Sequence, residues 1–242
     1  MELLLSMNWI AVGQIVLIDI LLGGDNAIVI ALACRNLPPK LRRRGIFLGT
    51  FGAIAIRVIL IAFAVTLLQV PYLKLLGGVL LFWIGIKLLL EDEDGHGEIQ
   101  ASDKLFSAVK TIIVADLVMS VDNVIAVAGA AEHAGGEHRM LLVIFGIFIS
   151  IPIIIWGSTI VLKLMERFPI IVTLGAALLG YIAGGMAVTD AAARAWIDAT
   201  LPGLDVDIPG TGIHFNLVAV ICACAVVLIG KAMMKRRRHT KT

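Results

Sequence analysis

The sequence predicts an all-α polytopic membrane protein with seven transmembrane helices, arranged as a 3+3 inverted repeat plus a C-terminal helix. The first observation is composition: 60% of the 242 residues are hydrophobic, only 16% are charged, and the mean hydropathy is +0.99. Such a chain is too apolar for an ordinary soluble globule. The second observation is a series of long apolar segments, and the third is an internal sequence repeat.

Seven apolar segments are long enough to cross a bilayer, which takes about 20 residues in a helix. The predicted spans are 9–34, 45–69, 72–90, 109–131, 140–162, 169–189 and 214–234. The connections between them are short and leave no room for a sizeable soluble domain. We therefore predict a single transmembrane domain over residues 1–242.

The internal repeat relates the first half of the chain to the second. Residues 15–31 align with residues 112–128, and residues 71–84 align with residues 169–182. Equivalent helices are three spans apart, which is an odd number, so the two halves must have opposite orientations in the membrane. Repeat one is predicted at about 9–90, repeat two at about 109–189, and the extra helix at about 214–234. Many secondary transporters have this architecture, with their sites near the membrane midplane between the repeats.

Basic residues predict the topology. Lys and Arg are concentrated in residues 35–44 and 231–241, each next to a predicted span. By the positive-inside rule both segments face the cytoplasm, which places the N-terminus outside and the C-terminus inside the cell. Basic clusters in this position are topology determinants, so the bilayer is the expected partner and nucleic acid is not. The sequence leaves open whether the protein forms a homo-oligomer.

The predicted site consists of carboxylate and amide side chains within the first and fourth spans. An ionised Asp at the centre of a spanning helix costs roughly 2.5 to 3.5 kcal/mol, so a compensating cation is expected. Carboxylate and amide oxygens suit Mg²⁺, Ca²⁺ and Mn²⁺, whereas Zn²⁺ and Cu⁺ prefer the His and Cys ligands that are missing beside these residues. The alternative is that these polar groups only join helices through hydrogen bonds. The candidate metal ligands are Asp19, Asp25, Asn26, Asp116, Asp122 and Asn123.

Helical geometry separates these ligands into two sets. In each helix the first Asp and the Asn are seven residues apart and share a face, whereas the second Asp lies about 120° away. Either the helices unwind locally or the two faces serve different neighbours. Gly23-Gly24 favours a break before Asp25, but the equivalent residues Ser120-Val121 do not repeat this signal.

Arg57 is the other charge within a predicted span, and its repeat equivalent is Ile154. Two interpretations of Arg57 stay open. It pairs with an Asp in a resting state and yields that Asp to substrate, or it only neutralises one surplus carboxylate.

The motifs in the first and fourth spans, residues 23–28 and 116–125, resemble the signatures of the TerC family of integral membrane proteins. The chain length and short loops resemble the YjbE-type branch of that family. The resemblance implies a relationship to LysE-type exporters, a location in the bacterial inner membrane and a role in Mn²⁺ efflux. It also implies that the six candidate ligands bind the metal. The family's name refers to tellurite resistance, which leaves a second phenotype open.

The predicted function is that of a secondary transporter, not an enzyme, that exports a divalent metal cation from the cytoplasm, and the resemblance implies that this cation is Mn²⁺. We expect no permanently bound cofactor, with Mn²⁺ as the substrate. No G-x-x-x-x-G-K-[ST] motif occurs, so direct coupling to ATP is not expected. The alternatives are a Ca²⁺/H⁺ exchanger, since Ca²⁺ uses the same ligands, and a tellurite-resistance or envelope-stress membrane subunit without its own transport activity.

Overall fold

A computed structural model describes residues 13, 16–17, 24–63, 70–90, 101–133, 139–200, 205–208 and 213–240. The described elements, in chain order, are α1 (Gly24–Cys34), α2 (Pro39–Ala62), α3 (Leu73–Leu90), α4 (Ala101–His133), α5 (Arg139–Arg167), α6 (Ile170–Thr189), α7 (Ala191–Thr200), β1 (Asp205–Ile208), β2 (Ile213–Asn216) and α8 (Leu217–Thr240).

The described helices include four that are long and apolar enough to cross a membrane. They cover Leu73–Leu90, Gly146–Arg167, Ile170–Thr189 and Leu217–Arg236. Each overlaps a predicted span, because a lipid-length apolar segment is a local property of the sequence. The protein is thus a helical polytopic membrane protein. α1, α2 and α4 overlap the first, second and fourth predicted spans, and the total of seven stays a prediction.

The segment between α6 and α8 contains structure that the all-α prediction did not include. α7 follows α6 directly, and β1 pairs with β2 in an antiparallel two-stranded sheet, with Asp205 opposite Asn216. The fold is otherwise helical, as predicted, and these two strands are an addition to it; strands of four residues are too short to give a clear alternating pattern in the sequence.

The chain forms two compact units, and each unit is discontinuous in sequence. The first contains Met1–Leu67 and Lys104–Lys163, and the second contains Leu68–Asp103 and Leu164–Thr242. The first unit therefore includes α1 and α2 with most of α4 and α5, whereas the second includes α3, α6, α7, β1, β2 and α8. Each unit thus takes helices from both predicted repeats. The single-domain assignment and the repeat boundaries stay predictions.

Small residues let the helices of the second unit approach closely. A Cβ atom at Gly184 of α6 would lie 2.6 Å from the Cα atom of Ala219 in α8, and one at Gly78 of α3 would lie 2.7 Å from the carbonyl oxygen of Ala183 in α6. In lipid, where apolar side chains gain nothing by leaving water, such backbone contact provides much of the packing energy. Glycine at these positions is therefore required by the packing of α6 against both neighbours.

Asp190 joins two helix N-termini in the second unit and is only 1% exposed. Its Oδ2 accepts hydrogen bonds from the backbone amides of Lys74 (3.1 Å) and Leu75 (3.2 Å) at the start of α3. Its Oδ1 accepts hydrogen bonds from the amides of Ala192 (2.9 Å) and Ala193 (3.2 Å) at the start of α7. Free amides at a helix N-terminus need such acceptors, and a carboxylate also interacts favourably with the helix dipole. One side chain therefore caps two helices.

We expect Asp190→Ala to destabilise the second unit by about 0.5–2 kcal/mol for each of the two helix ends. Burial raises the pKa of Asp190, but hydrogen bonds from the backbone amides of Ala192, Leu75 and Ala193 lower it by more, so its pKa lies below the ordinary value. A carboxyl group with a lowered folded-state pKa stabilises the protein above its unfolded-state pKa of about 3.9, and this contribution is lost as pH falls through the folded-state pKa.

Thermal unfolding of purified protein in detergent, measured at neutral pH and on acidification, tests this expectation. The difference in melting temperature between the wild type and Asp190→Ala should be largest at neutral pH and should shrink in acid. At neutral pH the melting temperature of Asp190→Asn, which keeps one acceptor oxygen but no charge, should lie between those of the wild type and Asp190→Ala. A difference that is the same at every pH would contradict the ionised cap.

Candidate functional site

Two glycines bring α2 close to α4 in the first unit. A Cβ atom at Gly49 would lie 2.5 Å from the Cδ1 atom of Ile112, and one at Gly52 would lie 2.5 Å from the Cδ1 atom of Ile113. Because glycine has no side chain, the isoleucines of α4 fill this space. The close approach continues along both helices and places the side chain of Arg57 against α4.

Arg57 forms a buried ion pair with Asp116. Its Nη2 donates to Oδ1 of Asp116 at 2.5 Å, and its Nε donates to Oγ of Ser120 at 3.2 Å. The Ser120 hydroxyl donates in turn to Oδ2 of Asp116 at 3.0 Å. Arg57 is 2% exposed, Asp116 is 5% exposed and Ser120 is 0% exposed. They form a closed hydrogen-bonded ring, hereafter the Arg57 cluster, and the partner of Arg57 is one of the candidate ligands.

The α4 residues of the site share one helix face. α4 is continuous from Ala101 to His133, so it has no break at Ser120-Val121. Asp116, Ser120 and Asn123 are spaced by four and three residues, which places them on one face of an unbroken helix. Asn123 is half-buried. The polar face of α4 is therefore two turns long and is occupied at one end by Arg57.

Asp25 lies near the Arg57 cluster although it belongs to another helix. It is in the first turn of α1 and half-buried, and its Oδ1 accepts a hydrogen bond from the backbone amide of Asn26 at 2.8 Å. The charges of Arg57 and Asp116 both act on its carboxyl group. Carboxylates from α1 and α4 and a guanidinium from α2 thus belong to one electrostatic neighbourhood.

Asn26 is buried, and the polar atoms of its side chain lack hydrogen bonds to the described residues. It is 4% exposed, and among the described residues neither its Nδ2 nor its Oδ1 has a hydrogen-bond partner. Oγ1 of Thr50, on the same α2 face as Arg57 and seven residues before it, is also buried without a partner in the described part of the chain. An unsatisfied buried polar group costs about 1–3 kcal/mol. Oxygen atoms of this kind are available to a bound cation.

Four of the six predicted ligands lie on described helices: Asp25 and Asn26 on α1, and Asp116 and Asn123 on α4. Asp25 and Asp116 are close enough for their charges to interact. Asp19 and the side chain of Asp122 lie outside the described residues. Within the described ranges, no group of three or more His, Cys, Asp or Glu side chains could hold a metal ion. A metal site formed by all six candidate ligands therefore stays a prediction.

Two polar residues of this neighbourhood were not among the predicted ligands. In the sequence, Ser120 stands out only as a departure from the Gly-Gly pattern, and Thr50 does not stand out. Ser120 is four residues after Asp116, so a search for polar residues on the Asp116 face would have found it. Thr50 is seven residues before Arg57 and lies on the same helix face, so a search for polar residues on the Arg57 face would have found it too. The missed signal was helical periodicity around each buried charge.

Residues 5–239 of the chain match the family model described as "Integral membrane protein TerC family". It is similar to the uncharacterized membrane protein YjbE of Bacillus subtilis, with 48% identity over 176 residues, covering 73% of this chain and 78% of YjbE. It is also similar to the inner membrane protein YgdQ of Escherichia coli K12, with 27% identity over 178 residues, covering 66% of this chain and 73% of YgdQ.

No solved structure matches the chain. The family match extends over nearly the whole sequence and includes both Asp-Asn motifs, so it covers every residue of the site described above. The protein belongs to the TerC family of integral membrane proteins.

Proposed function

We propose that this protein is a secondary transporter that exports a divalent metal cation, Mn²⁺ in the first place, from the cytoplasm. The observation that carries the proposal is the buried Asp116 carboxylate, which is held in an apolar helical unit by Arg57 and not by solvent. A buried charge is expensive, and within membrane-spanning segments such charges mark ion or substrate pathways.

The ligand chemistry supports a hard cation. The described neighbourhood offers carboxylate oxygens from Asp25 and Asp116 and an unsatisfied amide oxygen from Asn26. Hard divalent ions such as Mn²⁺ and Ca²⁺ prefer oxygen ligands of these kinds. Asp19, Asp122 and Asn123 are proposed as the remaining ligands, because they occupy the equivalent or adjacent positions in the repeat.

In the proposed cycle the cation enters from the cytoplasmic side and binds between the Asp-Asn motifs of α1 and α4. The aspartates neutralise its charge inside the membrane. The site then opens outward, and the cation leaves on the other side, as in alternating-access transporters built from inverted repeats. In this cycle Arg57 compensates the carboxylates when no cation is bound.

Purified protein in liposomes tests the function directly. Vesicles containing a dye that is quenched by Mn²⁺ should show Mn²⁺ uptake that depends on the protein, and protein-free vesicles should not. Addition of excess Ca²⁺, Mg²⁺ or Zn²⁺ outside then gives the ion preference.

The competition results separate the proposals. A Ca²⁺/H⁺ exchanger would be favoured if excess Ca²⁺ abolishes Mn²⁺ uptake and if the uptake rate does not saturate as the Mn²⁺ concentration rises. The same oxygen ligands suit Ca²⁺. If correctly folded protein moves none of these cations, the transport proposal is wrong and a membrane subunit without transport activity is favoured.

A further inference from the structure

We infer that Arg57 is a tethered cation that competes with the substrate for Asp116, and that Ser120 is the positioning residue that sets the strength of this competition. The inference rests on the proposed function and deepens it, because it assigns the control of substrate affinity to two residues outside the predicted ligand set.

The geometry of the Arg57 cluster is that of an occupied cation site. Both oxygens of Asp116 are engaged, Oδ1 by the guanidinium and Oδ2 by the Ser120 hydroxyl. A divalent cation needs at least one of these oxygens, and it cannot approach closely while the positive guanidinium stays in place, because like charges repel strongly away from water. Substrate binding to Asp116 therefore requires Arg57 to withdraw.

Ser120 holds the guanidinium in position by a second contact. Its oxygen accepts a hydrogen bond from Nε of Arg57 at 3.2 Å while its hydroxyl hydrogen is donated to Asp116 at 3.0 Å. The planar guanidinium can reach two acceptors at once, which a lysine ammonium on a flexible stem cannot do in the same fixed geometry. Loss of the Ser120 oxygen leaves Arg57 with one of these two contacts and also frees Oδ2 of Asp116.

A purely structural ion pair makes a different prediction. If the cluster only stabilises the fold, weakening it lowers thermal stability and leaves the substrate affinity of folded protein unchanged. If Arg57 competes with substrate, weakening its anchor tightens substrate binding, because the free energy needed to displace it is smaller. Substrate affinity, and not stability, is therefore the informative measurement.

Ser120→Ala is the test variant, and Ser150→Ala is its matched control. Both serines are 0% exposed helix residues of the first unit. The Ser150 hydroxyl donates to the carbonyl oxygen of Ile147 in its own helix, at 2.8 Å, and Ser150 is not a member of the Arg57 cluster. Arg57→Lys is a second test variant that keeps the positive charge but loses the fixed two-point contact.

The experiment measures the dissociation constant of Mn²⁺ by calorimetry in detergent, together with KM and kcat for Mn²⁺ uptake in liposomes. Loss of one hydrogen bond of ordinary strength predicts that Ser120→Ala binds Mn²⁺ about twofold to tenfold more tightly than wild type. KM should fall in parallel, and kcat should fall or stay unchanged, because Arg57 returns less readily to expel the ion. Arg57→Lys should change in the same direction, and Ser150→Ala should match wild type.

The outcomes distinguish this inference from the proposed function. If wild-type protein neither binds nor transports Mn²⁺, the proposed function fails and the inference fails with it. If wild type transports Mn²⁺ but folded Ser120→Ala and Arg57→Lys bind it as wild type does, or more weakly, the inference alone is overturned. Weaker binding by Ser120→Ala would show that its hydroxyl is a ligand of the substrate.

Discussion

Asp116→Asn is expected to abolish transport and to destabilise the protein by about 3–5 kcal/mol, the cost of leaving one member of a buried ion pair without its partner. The substitution keeps the shape of the side chain but removes the charge that compensates Arg57, which is 2% exposed. Protein yield, thermal stability in detergent and Mn²⁺ uptake by liposomes measure the two effects separately.

Two control variants separate the loss of charge balance from the loss of a ligand. The double variant Arg57→Gln/Asp116→Asn replaces the pair by two neutral groups, so it should recover stability without recovering transport. Asp25→Asn removes a carboxylate that is not part of the ion pair, so it should lose transport and keep stability. Mn²⁺ uptake at the wild-type rate by either variant would show that these carboxylates are not the substrate site.

Gly184→Leu is expected to disrupt the second unit, and the smaller change Gly184→Ala to cost about 1–3 kcal/mol, the usual range for overpacking. A Cβ atom at this position would lie 2.6 Å from the Cα atom of Ala219 and 2.9 Å from the carbonyl oxygen of Val218. These are backbone atoms of α8, so α6 and α8 would have to separate. Melting temperature and the monodispersity of the purified protein measure the effect.

The next residue, Gly185, is the matched control for Gly184. A Cβ atom there would meet nothing within 4 Å among the residues that the structure describes. Gly185→Ala should therefore be neutral, or stabilising by roughly 0.5–1 kcal/mol, because glycine is the weaker helix former. Equal destabilisation by alanine at both positions would contradict the close contact between α6 and α8.

The sequence by itself determined the membrane setting and several of the helices. The third span was predicted at 72–90 and the helix is Leu73–Leu90, and the sixth was predicted at 169–189 and the helix is Ile170–Thr189. These segments are apolar over the full thickness of a bilayer, so a local window of sequence is enough to find them. Asp25 and Asp116 are predicted as ligands because charged residues are rare within spans, and their role as ligands stays a prediction.

Only the tertiary structure decided which of these polar residues meet. The partner of Arg57 is 59 residues away in sequence, and the amides of α3 that Asp190 caps are 115 and 116 residues away. Such choices depend on how helices pack, and that depends on small residues such as Gly49, whose neighbour Ile112 lies on another helix. A local pattern reveals that a charge is buried in the membrane, but its partner is selected by contacts between helices that are distant in sequence.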